Sequence, residues 1–457
     1  MDHHVTRRIL HGLGANAYGQ LVVIVIQLAG VPILLHAWGT QLYGEWLILA
    51  AIPTYLSMAD LGFSQSAAND MTAQVARGDR AEALAVFQSL GALVFSAASI
   101  GLLLVTMLLF GLPLQHWLHF QAMSTGEVRW VLWFLAAEML VRLTEGTVHA
   151  GFRANGDYAL HTAIYYSTML VQYAGAWYMA EAGMGPIRAA ASFFVVRCIV
   201  TPAAATWLIR RHAWLHFGFK KAKTSELRRL GRPALANLGM PLAQALNVQG
   251  MVLAVGAVLG PLAVVTFSTL RTLTRLVMQL GAAVSNAAEP EFASAHGKVS
   301  LELLQKLYAH VLRASFWLAL PAAIGLALLG SDILHLWTHG RVAMNALLFR
   351  WLLISALANV FWYGALIVLK AANRHLRTAF LYSLSAGASV LVAVGLLIWS
   401  GRLADAGLAL LIMDAAMAAY TLRAACRLID IPAWQALGRA LDPRPLLHLK
   451  IGSVHVA

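Results

Sequence analysis

Of 457 residues, 60% are hydrophobic and only 12% charged, with a mean hydropathy of +0.69. Soluble domains carry roughly a quarter charged residues, so this chain cannot clothe a water-facing surface and lipid must cover most of it. A formal charge of +13 would suggest nucleic acid in a soluble protein, but here the cations sit between apolar runs, which is membrane topology rather than a nucleic-acid partner.

The chain opens on a polar segment with Arg7 and Arg8, followed by an apolar run too long for a signal-peptide core, so an uncleaved membrane helix is expected. About 20 apolar residues span a bilayer. About twelve such stretches follow, near 14–36, 43–68, 83–110, 128–150, 159–181, 187–209, 233–256, 262–286, 306–328, 346–370, 378–399 and 405–425. The fold class this predicts is an all-α polytopic membrane protein. Pro32, Pro53, Pro202, Pro241 and Pro321 fall inside these stretches, where proline kinks a helix, as a static bend or as a hinge. Cys198 and Cys426 offer neither a disulfide framework nor a metal spacing.

With the N-terminus inside, about 23 lysines and arginines face the cytoplasm against roughly three outside, Arg188, Arg341 and Arg402. Both termini are therefore expected to be cytoplasmic. A basic linker over 210–232 separates an N-lobe, 1–209, from a C-lobe, 233–425, with six spans each and a basic tail over 426–457. Punctuation recurs at one offset (Asn16 and Asn237, Gly39 and Gly260, Trp46 and Phe267), and an offset of six spans keeps the orientation. A parallel pseudo-repeat follows, two bundles enclosing a central cavity. Within the tail, Ile431 to Lys450 carries Trp434, Leu437, Leu441, Leu446 and Leu447 among basic residues, which reads as an interfacial helix or as a frayed end.

Ionisable residues inside spans are costly unless paired or facing a wet cavity. Glu138, Arg142, Glu145 and His149 follow at steps that place them on one face of the fourth stretch. Arg271 and Arg275 stack one turn apart in the eighth, and Arg197 lies in the sixth. Arg142, Arg271, Arg275 and Arg197 are the candidate cavity cations, since guanidinium forks match phosphate oxygens. Interhelical pairing is the competing reading, with Glu138 and Glu145 flanking Arg142 in a structural triad. Asp60 and Asp414 are either ligands for a coupling ion or helix-end hydrogen-bond acceptors. Arg129, Arg313 and Arg350, near span ends, read as snorkelling side chains. Enzyme signatures of the GxxxxGK[ST], HExxH and GxSxG types are missing, so no catalytic residue, metal or cofactor is expected.

The stretch Gly39-Thr40-Gln41-Leu42-Tyr43-Gly44-Glu45-Trp46-Leu47, with Asp60-Leu61-Gly62 beyond it, resembles a motif of polysaccharide-biosynthesis flippases in the multidrug/oligosaccharidyl-lipid/polysaccharide exporter superfamily. Gly39, Tyr43, Gly44, Trp46, Asp60 and Gly62 are its matching positions. Phe267 to Arg271 with Glu289-Pro290-Glu291, and Asp332 to Gly340, resemble later regions of the same family. The resemblance implies about twelve helices in two V-shaped lobes in a bacterial inner membrane. It further implies outward movement of an undecaprenyl-pyrophosphate-linked oligosaccharide, an O-antigen or exopolysaccharide unit, by alternating access, with Na⁺ or H⁺ coupling left open. Polysaccharide polymerase and chain-length proteins are the partners it suggests. A multidrug or cation antiporter of the same fold is the alternative, and a membrane-embedded glycosyltransferase is disfavoured by short outer loops.

Overall fold

The computed structural model describes residues 3–111, 120–297, 301–372, 374–442 and 444, which form fourteen α-helices and no strand. The chain parts into two compact units, Met1–Ala245 with Gly260–Val265, and Leu246–Leu259 with Thr266–Ala457.

In the first unit, α1 (His3–Ala51) runs through what the sequence suggested as two spans with a loop between them, broken only at Gly39 (φ 68°, ψ 179°). Pro53 then starts a tight 3-10 stretch, Ile52–Met58, and Leu61 and Gly62, both at positive φ, turn the chain into α2 (Phe63–Ala76). The expected second span, 43–68, is therefore the end of α1, a 3-10 stretch and the start of α2. Further on come α3 (Arg80–Gly111), α4 (Thr125–Ala154), α5 (Tyr158–Glu181), α6 (Gly185–Arg211) and α7 (Thr224–Ala245). Ser124 and Glu127 form a reciprocal capping box that fixes where α4 begins. Phe87, Leu90, Phe152 and Leu208 interlock α3, α4 and α6 in a closed apolar core. Residues 210–232, expected as a linker, fold back onto this core. The Gln88 side chain donates to the His216 carbonyl at 3.1 Å and accepts the Lys221 N–H at 2.8 Å. Arg229 forks onto Asp70 at 2.7 Å for each nitrogen.

The second unit begins with a wide π-type turn, Leu246–Gly250, followed by α8 (Met251–Leu259), so the expected seventh span is not one regular helix. α9 (Pro261–Gly297), α10 (Leu301–Thr338), α11 (Ala346–Ala371), α12 (Leu376–Ser400) and α13 (Ala404–Leu428) complete the long helices. α11 packs along α13, which also meets α12, while α10 supports α11 and α14 (Ala433–Leu441). α14 falls inside the segment expected as an interfacial helix. Its Ala436 and Ala440 are buried, Trp434 is 76% exposed, and Arg313 donates to the Arg439 carbonyl at 2.8 Å. Arg313 is thus a buried bracket for α14 and not a snorkelling side chain; Leu446, Leu447 and Lys450 lie outside the described residues.

Among the described residues, eight helical segments are long and apolar enough to cross a membrane, fewer than the twelve stretches expected. α1 absorbs two of those stretches. α4, α5 and α9 miss the criterion because polar groups dilute them: Glu138, Arg142 and Glu145 in α4, His161, Tyr165 and Gln172 in α5, Arg271 and Arg275 in α9. Outward faces elsewhere are oily, with Leu103, Met107 and Leu391 at 61%, 62% and 74% exposure. A water-soluble chain would bury such a surface. The chain is a multi-pass membrane protein, and α4, α5 and α9 are diluted by ionisable and polar groups that turn away from its oily faces.

Candidate functional site

Buried charge in the first unit gathers where α4, α5 and α6 meet. Arg197 of α6, 2% exposed, donates from Nε to Glu138 at 3.0 Å, from Nη1 to Glu145 at 2.5 Å and from Nη2 to Gln172 at 3.0 Å. Gln172 in turn donates to Glu138 at 3.0 Å and to the Phe193 carbonyl at 2.8 Å. Every arm of this guanidinium is occupied. Arg197, expected as a cavity cation, is therefore enclosed as the hub of a structural network, because two carboxylates about two turns apart on α4 bond to it rather than to Arg142.

Arg142, one step further round α4, is left without a carboxylate bond. It donates to the Tyr165 hydroxyl and lies 5.2 Å from that ring's centre. Arg142 borders a cavity of about 310 Å³, lined also by Glu145, His149, His161, Tyr165 and Tyr166. The two histidines touch, Nδ1 to Nδ1, at 3.1 Å. Polar side chains and aromatic rings share its lining, so it can hold a ligand with both polar and apolar parts.

In the second unit the π-type turn sets the chemistry. A widened turn breaks the i→i−4 ladder and frees carbonyls. Arg271 of α9 takes up one of them, donating to the Asn247 carbonyl at 2.9 Å and also to the Asn247 side-chain oxygen. Arg275, a turn later, has no hydrogen-bond or ion-pair partner among the described residues and is only partly buried. Asp414 on α13, 3% exposed, accepts from Ser355, from Asn359 at 3.2 Å and from Trp362 at 2.8 Å. Three neutral donors hold it, and it makes no ion pair among the described residues.

The remaining sequence candidates are structural in their geometry. Asp60 accepts the Gly62 and Ser64 N–H groups at 3.1 and 3.2 Å, a helix-end cap for α2. Gly62 sits at φ +80°, and a Cβ there would come within 2.3 Å of the Ala234 carbonyl. Gly44 likewise lets α1 approach the Pro261 carbonyl, where a Cβ would stand 2.3 Å away. Tyr43 is buried, and Trp46 stacks on Trp38 with centroids 5.1 Å apart. Glu45, inside the motif but not singled out, is fully buried and accepts the N–H groups of Gln121, Ala122 and Met123 at 2.7, 2.9 and 2.9 Å. Tyr165, Gln172, His161 and Asn247 were also missed. For α5 the signal was present: Tyr158, His161, Tyr165 and Gln172 recur at steps of three, four and seven, a polar stripe on one face of an apolar helix.

The backbone is similar to those of solved transporters. A structure titled as the inward-facing conformation of a multidrug resistance MATE family transporter of the MOP superfamily matches with TM-score 0.67 at 14% identity, over 90% of this chain and 93% of that one. The chain shares the fold of that solved structure. The lipid II flippase MurJ in an inward closed conformation also matches, with TM-score 0.68 at 13% identity, over 96% and 91% of the two chains. The MATE multidrug transporter DinF-BH matches with TM-score 0.66 at 14% identity, over 92% and 95%. No family model and no curated protein matches the sequence. Of the charged groups above, Arg142, Glu138, Glu145, Arg271 and Arg275 lie in helices too polar to count as candidate spans, whereas Arg197 and Asp414 are buried in α6 and α13, which do count.

Proposed function

We propose that this protein is a flippase that moves a polyprenyl-pyrophosphate-linked oligosaccharide, an O-antigen or exopolysaccharide unit, outward across a bacterial inner membrane. The observation that carries this reading is an imbalance of partners. The acids are bound up, Glu138 and Glu145 by Arg197 and Asp414 by Ser355, Asn359 and Trp362. Three guanidinium groups have only neutral partners or none: Arg142 with Tyr165, Arg271 with Asn247, and Arg275. A desolvated guanidinium with spare donors suits a phosphate oxygen and disfavours a cationic drug.

Charge balance refines the assignment. Arg142 and Arg197 share Glu138 and Glu145, whereas Arg271 has the single acid Asp414 near it and Arg275, among the described residues, has none. The second unit therefore attracts an anion more strongly. An inside-negative potential favours outward movement of an anionic head by about 2.3 kcal/mol per charge per 100 mV, which gives direction without a coupled ion. If Na⁺ or H⁺ is coupled, Asp414 is the buried acid without an ion-pair contact among the described residues that would sense it. The twelve-span, two-lobe arrangement belongs to the same proposal, with both termini cytoplasmic, and so do the polymerase and chain-length partners.

The test is flipping by Arg142→Gln, Arg271→Gln and Arg275→Gln, singly and together, at matched amounts of folded protein. The Arg271 and Arg275 changes should slow transport more than Arg142→Gln, and the triple variant should stop it. Wild-type flipping by a stable triple variant would remove this site from consideration. The competing reading, a multidrug or cation antiporter, draws on the two multidrug transporters that share the fold. It requires Asp414, Glu138 or Asp60 to be essential for drug resistance conferred by the chain.

A further inference from the structure

The ends of α11, α12 and α13 enclose a second cavity of about 310 Å³, bordered by Leu369, Arg374, Arg377, Thr378, Tyr420 and Arg427. Among the described residues, no carboxylate lines it. The local sequence builds it simply: α11 stops at Ala371, the Arg374 N–H closes onto the Leu369 carbonyl at 2.8 Å, and α12 restarts at Leu376. That tight return brings Arg374 and Arg377 beside Arg427 in the last turn of α13.

We propose that this cavity binds the phosphate headgroup of an anionic phospholipid of the surrounding membrane. Three observations point there. The side chains of Arg374, Arg377 and Arg427 have no hydrogen-bond or ion-pair partner among the described residues, so three like charges converge uncompensated. Helix-end dipoles account for Arg427, at a C-terminus, but not for Arg377 at the start of α12, where a cation is disfavoured. Thr378, only 1% exposed, lines the cavity with a hydroxyl that has no partner, a buried donor that a phosphate oxygen would satisfy. The N-terminus of α12 also lacks a side-chain cap, leaving its first N–H groups open to an anion.

The face of α12 argues for a lipid over free phosphate. Arg377 is followed at helical spacing by Phe380, Leu384 and Leu391, exposed by 68%, 60% and 74%. A headgroup held by Arg377 would lay its acyl chain along that apolar stripe. The cavity sits at the lower end of the about 300–1,000 Å³ range of small-molecule clefts, adequate for a phosphodiester and not for a glycan. This site is separate from Arg142, Arg271 and Arg275 and does not depend on the transported cargo.

The experiment measures lipid retention and thermal stabilisation of the detergent-solubilised full chain with phosphatidylglycerol, phosphatidylcholine or inorganic phosphate. Phosphatidylglycerol should bind and stabilise at least tenfold more tightly than phosphatidylcholine. Arg377→Gln/Arg427→Gln should abolish that preference, and Thr378→Val should weaken it several-fold while Thr378→Ser retains it. Equal effects of the two lipids on the wild-type protein would overturn the proposal and require no variant. Stabilisation by inorganic phosphate that phosphatidylglycerol does not exceed would overturn the lipid assignment.

Discussion

Arg197→Met should destabilise the first unit while leaving Arg142, Arg271 and Arg275 in place. The substitution removes three charge-assisted hydrogen bonds, to Glu138 at 3.0 Å, Glu145 at 2.5 Å and Gln172 at 3.0 Å. Side-chain hydrogen bonds between membrane helices average only about 0.6 kcal/mol each, so the bonds alone amount to about 2 kcal/mol. The larger cost is two carboxylates, 3% and 7% exposed, left without a cation. Removing one partner of a buried pair costs about 3–5 kcal/mol. At about 2–4 °C per kcal/mol for a domain of this size, the melting temperature should fall on the order of 10 °C. Thermal denaturation in detergent, followed by the loss of monodisperse protein, reads this directly. Adding Glu138→Gln and Glu145→Gln to Arg197→Met should restore most of the loss, because the uncompensated charges go with it. A variant melting within about 2 °C of wild type, or a triple variant no better than the single one, would refute the network's structural role.

Three further outcomes follow from the same geometry. Gly62→Ala should cost at least about 2 kcal/mol, since a Cβ at φ +80° adds left-handed strain of about 1–2 kcal/mol to a 2.3 Å approach to the Ala234 carbonyl; the melting temperature checks it. Glu45→Gln should destabilise by about 1–3 kcal/mol and raise hydrogen exchange at Gln121 to Met123, whose N–H groups it holds. For pH, Asp157 between α4 and α5 is the informative group: burial works to raise its carboxyl, but Arg211 and His212 bond it and hold it below its ordinary value. A lowered folded pKa means its stabilisation is complete above the unfolded value near 3.8 and is lost as pH falls through the lower folded value. Asp157→Ala should be less stable than wild type at neutral pH, with the gap closing in acid, as melting curves across pH would show.

How far the sequence carries is visible residue by residue. Helical periodicity put Glu138, Arg142, Glu145 and His149 on one face of α4, and that face does turn inward. It did not decide which arginine the acids hold, because Arg197 lies 59 positions from Glu138 and pairing across helices has no local signature. Asp60 reads from the sequence as an acid inside the second stretch, a helix-end acceptor or an ion ligand; the structure shows it accepting the N–H groups of Gly62 and Ser64. Glu45 escaped notice since its partners are backbone amides of a distant turn. The π-type turn at Leu246–Gly250, which places the Asn247 carbonyl before Arg271, comes from packing and not from propensity.

Whether the cargo is a polyprenyl-pyrophosphate glycan is tested most directly by deleting the gene and assaying which leaflet of spheroplasts exposes that lipid. The predicted result is accumulation on the cytoplasmic side, reversed by the intact chain and not by the triple Arg142, Arg271 and Arg275 glutamine variant. Unchanged lipid pools, with surface polysaccharide still made and no second transporter to make it, would contradict the claim.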